Sequence, residues 1–212
     1  MRIERFTFNP FQENTYLVAA ANDECIIIDP GMMDGKEEKK LFSFIKEEGL
    51  SPVRMILTHC HIDHVLGIQS VFKQYGLIPE YTAEEQKVFE ACPRVADMYG
   101  IPYLPYAGKA KYLDLKKAVV IGDEKLELRF VPGHAPGHIV LVDHADGNVI
   151  AGDTLFNGSV GRTDLPGADH DTLMKKIKSE LYSLPGAFIV WPGHGLETTI
   201  GKEKKSNPFV KA

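Results

Sequence analysis

The sequence predicts an α/β fold with two sheets and helices packed outside them. Strand-like segments come in two batches, and helical segments lie between them. A length of 212 residues suits one large domain better than two small ones. The sequence also contains no internal repeat, low-complexity tract or linker. We therefore expect a single domain over residues 1–212.

The first batch of strands opens the chain. Short apolar or alternating runs separated by turn residues predict strands at 2–8, 14–20 and 24–28. Amphipathic spacing then predicts a helix over 36–48, which Gly49 ends.

The middle of the chain alternates between strand and helix. Residues 53–57 form an apolar run typical of a buried strand. Helices are predicted over 65–75 and over 83–99, the second interrupted or kinked near Pro93. Residues 101–108 are rich in proline, tyrosine and glycine and predict a surface loop.

The second batch of strands follows that loop. Its members share short apolar runs bounded by turn residues, and lie at 118–121, 125–131, 139–142 and 149–151. A helix is predicted over 171–181 and a last strand over 187–191.

Composition and charge exclude several classes of protein. The formal net charge of −5 and the absence of a basic stripe argue against a nucleic-acid partner. No apolar run is long enough to cross a bilayer, and the N-terminus lacks the apolar region of a secretory signal. Three widely spaced cysteines do not predict a disulfide framework. We therefore expect a cytoplasmic protein without a membrane partner.

Four potential metal ligands lie within six residues: His59, His61, Asp63 and His64. Imidazole and carboxylate suit zinc and ferrous iron. In an extended turn, residues two apart point the same way, so His59 and His61 are predicted to hold one ion. Asp63 and His64 follow the turn into a helix and point elsewhere. Because one tetrahedral ion cannot easily use all four, the pattern favours two neighbouring ions.

Three further candidates follow apolar, strand-like runs and a glycine: His134, Asp153 and His194. His134 would complete the ligand set of the first ion and His194 that of the second. The Asp153 carboxylate suits a bridging position between the two ions. Taken alone, each has an ordinary explanation as a turn or capping residue. Together with the cluster at 59–64, they predict a metal centre.

The His-x-His-x-Asp-His run, followed in order by His134, Asp153 and His194, resembles the metallo-β-lactamase superfamily of hydrolases. The resemblance implies a four-layer αββα sandwich. It also implies that His59, His61 and His134 hold one divalent ion, that Asp63, His64 and His194 hold the other, and that Asp153 lies between them. Zinc is the first choice, with iron or manganese as alternatives.

Two runs, at 132–139 and 152–156, look like those of glyoxalase II, the hydroxyacylglutathione hydrolases. Residues 158–167 and the Asn207-Pro-Phe run resemble the short bacterial branch of that group. Ala135 stands where the group usually has threonine. The resemblance implies hydrolysis of a small-molecule thioester, S-D-lactoylglutathione or a related hydroxyacyl thioester, by water that two ions activate. Asp63 and Asp153 would orient that water.

The chain ends soon after His194, so we expect no C-terminal helical substrate domain. The identity of the thiol carrier is therefore open, as is the oligomeric state.

Three residues outside the ligand set have two interpretations each. Arg162 either grips an anionic substrate or pairs with Asp164 to hold its loop. Asp29 either orients a ligand imidazole, as the resemblance implies, or only shapes a Pro-Gly turn. His138 either contacts and orients one of the metal ligands without binding a metal itself or has a purely structural role.

Other reaction classes use the same fold. A persulfide dioxygenase would bind one iron through His59, His134 and Asp153, and the Gly-Arg-Thr-Asp run at 161–164 resembles that class. A lactonase or β-lactamase-like activity on the same centre is a second alternative. A nuclease and a purely metal-binding module are less favoured.

Overall fold

The computed structural model describes residues 1–211, which form two compact units. The first unit comprises residues 1–113 and 120–124, and the second comprises residues 114–119 and the chain from 125 onward. The predicted mixture of sheets and helices is present in the molecule. The single domain over 1–212 stays a prediction.

The first unit contains a six-stranded sheet with its strands in sequence order. Its strands are β1 Arg2–Phe8, β2 Glu13–Ala19, β3 Glu24–Ile28, β4 Ser51–Ile56, β5 Pro79–Tyr81 and β6 Lys111–Tyr112. Strands β1 to β3 pair antiparallel, and β3 to β6 pair parallel. Because parallel neighbours need crossover connections, the helices of this unit lie in sequence among its parallel strands.

The helices of the first unit are α1 Gly35–Glu47, α2 Ile62–Val65, α3 Ile68–Tyr75 and α4 Gln86–Tyr99. The helix predicted over 65–75 is present from Ile68 onward as α3, but its predicted start is wrong, because Val65 ends the separate helix α2 and Leu66 and Gly67 lie between the two helices. The amide of Gly67 donates to the Pro30 carbonyl at 2.7 Å, so a long-range contact sets this break. The predicted helix over 83–99 begins as a 3₁₀ turn and then continues through Pro93.

Apolar side chains of the sheet and helices form the core of the first unit. Every residue of β2 is buried, including Glu13, Asn14 and Thr15 at its start. The loop predicted at 101–108 is not wholly superficial, because Tyr106 is buried in this core.

A second six-stranded sheet has the strand order β14-β13-β10-β9-β8-β7. Its strands are β7 Val119–Ile121, β8 Glu124–Phe130, β9 Ile139–Asp143, β10 Asn148–Gly152, β13 Ile189–Pro192 and β14 Thr198–Thr199. Most of this sheet belongs to the second unit, while Val120, Ile121 and Glu124 belong to the first. A separate hairpin joins β11 Leu155–Phe156 to β12 Ser159–Val160. Strands β10 and β13 pair parallel, so their carboxyl ends meet at one edge of the sheet.

Helix α5 His170–Lys176 continues as a π-helical segment, Ile177–Leu181, and together they match the helix predicted over 171–181. A further helix, α6 Ile200–Ser206, was not predicted. Among the described residues, no helix is long and apolar enough to cross a membrane.

Candidate functional site

The candidate ligands fall into two groups, one in each unit. The first group contains His59, His61, Asp63 and His64. Beyond β4 the chain bends at Thr58 and reaches His61, the extended N-cap residue of α2. Asp63 and His64 lie within that short helix. His59 and His64 are fully buried, whereas His61 and Asp63 are partly exposed.

The four side chains of the first group form one patch. The ring of His59 lies 4.8 Å from the ring of His61 and 4.1 Å from the ring of His64, measured between centroids. The Nε2 atom of His64 lies 3.6 Å from a carboxylate oxygen of Asp63. The sequence predicted that His59 and His61 point one way and that Asp63 and His64 point elsewhere. In the structure the ring of His59 lies close to the rings of both His61 and His64.

Asp29, which directly follows β3, contacts both the residue before His59 and the imidazole of His64. Its carboxylate accepts hydrogen bonds from the Thr58 amide at 2.7 Å and the Thr58 hydroxyl at 2.6 Å. The same carboxylate lies 3.2 Å from Nδ1 of His64. A proton on Nδ1 would make Nε2 the atom that His64 offers to a metal. These contacts support the predicted supporting role of Asp29.

Sequence reasoning missed two polar residues beside the first group. Glu13 is fully buried, accepts from the Thr15 hydroxyl at 3.0 Å and lies 3.9 Å from Nδ1 of His64. The side chain of Asn9 donates to the Asp63 carbonyl at 3.0 Å. The run of three polar residues that begins the otherwise apolar strand β2 was the signal that could have indicated Glu13.

The second group contains His134, Asp153 and His194, which follow β8, β10 and β13 respectively. Nε2 of His134 lies 3.5 Å from Oδ2 of Asp153, and Nε2 of His194 lies 3.4 Å from the same oxygen. The carboxylate therefore lies between the two imidazoles. This position is compatible with a bridging carboxylate, and the bridging role and the ligand roles stay predictions.

Two hydrogen bonds orient the second group. Nδ1 of His134 lies 2.8 Å from the carbonyl oxygen of Arg162, which can only accept, so Nδ1 carries the proton. The Asp153 amide donates to Nε2 of His138 at 3.0 Å. His138 is fully buried and thus holds the backbone of a candidate ligand, which supports its predicted supporting role.

Arg162 forms a bidentate ion pair with Asp164, in which Nε donates to Oδ1 at 2.7 Å and Nη2 donates to Oδ2 at 2.8 Å. The Arg162 guanidinium lowers the pKa of Asp164 to about 2. Both side chains are more than half exposed. The pair agrees with the loop-holding interpretation of Arg162, and its exposure leaves the guanidinium accessible to a ligand as well.

The ligand set and its order define a family. The model of the metallo-β-lactamase superfamily matches residues 8–194, a stretch that includes both candidate groups. The chain belongs to this superfamily.

The chain is 34% identical to hydroxyacylglutathione hydrolase GloC of Haemophilus influenzae, over 100% of this chain and 99% of that protein. The crystal structure of BLEG-1 B3 metallo-β-lactamase matches with a TM-score of 0.90 and 30% identity, covering both chains completely. A di-iron-bound structure of TTHA1623 matches with a TM-score of 0.88 and 35% identity, over 98% of this chain and 100% of that one. These likenesses confirm the predicted metallo-β-lactamase fold and the resemblance to the short glyoxalase II branch.

The chemistry of the candidate ligands fits divalent metal ions. The two groups together offer five imidazoles and two carboxylates and no thiolate. Such a mixed set suits zinc, iron or manganese. Cys60, between two of the histidines, is buried in the apolar core of the first unit.

Proposed function

We propose that this protein is a metal-dependent thioester hydrolase whose substrate is S-D-lactoylglutathione or a related hydroxyacyl thioester. The observation that carries the proposal is the position of Asp153, whose Oδ2 atom lies within 3.5 Å of imidazole nitrogens of both His134 and His194. One carboxylate oxygen between two imidazoles is suited to two adjacent cations. The full-length likeness to GloC supports the thioester as substrate class.

The two groups together would supply the ligands of two divalent ions. In this proposal His59, His61 and His134 hold one ion, Asp63, His64 and His194 hold the other, and Asp153 serves both. The superfamily match supports the assignment because it includes both groups. Zinc is our first choice, while the di-iron form of TTHA1623 makes iron the leading alternative and manganese remains a third.

When bound, such ions would lower the pKa of water from its high bulk value toward about 7 and polarise the acyl carbonyl. The carboxylates of Asp63 and Asp153 accept hydrogen bonds from the attacking water and fix its direction. His134 is held in one tautomer by the Arg162 carbonyl. The leaving thiolate belongs to a thiol with a pKa of about 8.5, so it departs at neutral pH without a general acid.

The substrate is expected to be a small anionic molecule. Arg162 would contact a carboxylate of the substrate, since a guanidinium binds a carboxylate in a bidentate geometry. We further propose that the protein acts in the cytoplasm and without nucleic acid or a membrane as partner.

β-Lactam hydrolysis is a second candidate. The BLEG-1 B3 metallo-β-lactamase match, at 30% identity over the complete chain, specifically favours testing it. An amide leaving group needs protonation more than a thiolate does, and the candidate groups contain no evident acid for that step.

A panel of thioesters and one β-lactam, assayed beside elemental analysis of the same protein sample, tests the proposal. We expect S-D-lactoylglutathione to be hydrolysed and about two metal ions per chain to be found. His61→Ala and Asp153→Ala should each lower kcat at least a hundredfold, since losing a group that only supports a ligand already costs roughly 10- to 100-fold. His144→Ala, an exposed histidine paired with Glu127, is the matched control and should retain activity.

Wild-type rates in both ligand variants would contradict the proposal. One iron per chain with thiol-dependent oxygen uptake would instead identify a persulfide dioxygenase.

A further inference from the structure

Glu85 is fully buried, and its carboxylate contacts the backbone of the segment that carries the first ligand group. It is the last residue of the 3₁₀ turn Ala83–Glu85 that precedes α4. Its Oε2 atom accepts the backbone N–H of Cys60 at 2.7 Å. Cys60 separates His59 from His61, so the carboxylate binds the chain between two candidate ligands.

A second contact holds the same short segment. The Cys92 thiol, on α4, donates to the Cys60 carbonyl at 3.3 Å. The N–H belongs to the peptide that joins His59 to Cys60, and the carbonyl belongs to the peptide that joins Cys60 to His61. Because each peptide is planar, fixing both of them fixes the backbone bonds that join His59 and His61 to Cys60, and so restricts the directions of the two histidine side chains.

The contact with the Cys60 amide needs an acceptor oxygen at this position and not a charge. A neutral amide in place of the carboxylate could accept the same N–H. The geometry therefore gives Glu85 one means of acting on a metal, through the orientation of His59 and His61.

We propose that Glu85 is a positioning residue for the metal centre, which aligns His59 and His61 through the Cys60 amide. The inference rests on the proposed function only in that these two histidines bind a metal. It does not depend on which ester or thioester the protein cleaves.

Metal affinity, measured by chelator competition with zinc on the full-length protein, tests the inference. Glu85→Asp keeps the charge but shortens the side chain and withdraws the acceptor, so we expect the Kd for zinc to rise roughly 10- to 100-fold. Glu85→Gln keeps the acceptor oxygen, so its Kd for zinc should stay within about fivefold of wild type, below the roughly 10- to 100-fold rise expected when the contact is lost. Glu80→Gln is the matched control, because Glu80 is also a buried glutamate of the first unit, but is paired with Arg54 and Lys111.

A Kd for Glu85→Asp within twofold of wild type would overturn the inference, as would an equal loss in Glu85→Gln or in Glu80→Gln. If Glu85→Asp does not fold, Glu85→Gln decides: affinity near wild type supports the inference, and a loss equal to that of His61→Ala overturns it. Wild-type protein that binds zinc without cleaving thioesters would contradict the proposed function and not this inference.

Discussion

The Nδ1 atom of His134 lies 2.8 Å from the carbonyl oxygen of Arg162. One hydrogen bond therefore joins a proposed metal ligand to the residue proposed to contact substrate. The Arg162 backbone fixes the tautomer of the imidazole, while its side chain extends to Asp164. Because the backbone contact does not depend on the side chain, substitution of Arg162 can test substrate binding without removing the support of His134.

Arg162→Ala should raise the KM for S-D-lactoylglutathione roughly tenfold, the effect of losing one charge-assisted contact, with little change in kcat. Asp164→Asn should lower this KM, because the guanidinium would lose the carboxylate that competes with substrate. Steady-state kinetics on the anionic thioester and on an uncharged acyl thioester separate the two interpretations of Arg162. If Arg162 only holds its loop, both variants will lower Tm and leave both KM values unchanged.

Asp29→Asn should lower both stability and metal affinity. The amide that replaces one carboxylate oxygen cannot accept from the Thr58 hydroxyl or from Nδ1 of His64, so we expect a loss of about 2–4 kcal/mol in the free energy of unfolding. Asparagine tolerates the left-handed backbone that Asp29 adopts, with φ of 50°, so backbone strain does not contribute.

Urea denaturation and zinc competition measure these two effects. Asp23→Asn is the matched control, because exposed Asp23 also has a positive φ, of 65°, and should change neither quantity. Equal stability of Asp29→Asn and wild type would show that the carboxylate only shapes the Pro-Gly turn.

The first ligand group was predictable because its geometry is mostly local. The spacing of His59 and His61 predicted that these two side chains lie together. The sequence predicted that His64 points elsewhere, whereas its ring lies 4.1 Å from that of His59. The second group was predictable because His134, Asp153 and His194 each follow a strand, and the parallel pairing of β10 and β13 brings two of these strand ends to one edge.

Other features depend on contacts that are distant in sequence. Glu85 and Glu13 resemble ordinary charged residues until tertiary packing buries them, and only the structure pairs Glu85 with the Cys60 amide. The break at Gly67 depends on the Pro30 carbonyl. The five strands that were not predicted, β5, β6, β11, β12 and β14, have two or three residues each, which is too few to show an alternating pattern.

Glu80→Gln should destabilise the protein at neutral pH and not in acid. Burial raises the pKa of Glu80, but hydrogen bonds from Arg54 and Lys111 outweigh it, and the net pKa lies below its ordinary value of 4.5. A carboxyl with a lowered pKa in the folded state stabilises the protein above its unfolded-state pKa, and this contribution is lost as the pH falls through the folded-state value.

We therefore expect Glu80→Gln to lower the free energy of unfolding by about 1–3 kcal/mol at pH 7. The difference from wild type should shrink progressively below a pH of about 4.5. Urea denaturation at a series of pH values measures it. A difference that stays constant down to strong acid would exclude the ion pair as its cause.

Gly161→Ala should disturb the second ligand group directly. A Cβ at Gly161 would lie 2.0 Å from the carbonyl oxygen of Asp153 and 3.1 Å from Cγ of His134. The first of these atoms is backbone, so it cannot move aside without shifting the chain that carries the carboxylate. Since misplacement of a catalytic group by about 1 Å can cost roughly a hundredfold in rate, we expect kcat/KM for the thioester to fall by at least tenfold.

Gly158→Ala, in the turn of the hairpin that precedes Gly161, separates this steric effect from backbone strain. Gly158 has a φ of 76°, and among the described residues no heavy atom beyond its two chain neighbours lies within 4 Å of the point where a Cβ would stand. Alanine there therefore introduces strain of about 1 kcal/mol without entering the site. We expect Gly158→Ala to lower Tm while retaining kcat/KM. Equal activity of the two variants would mean that the close approach of residue 161 to Asp153 and His134 has no part in catalysis.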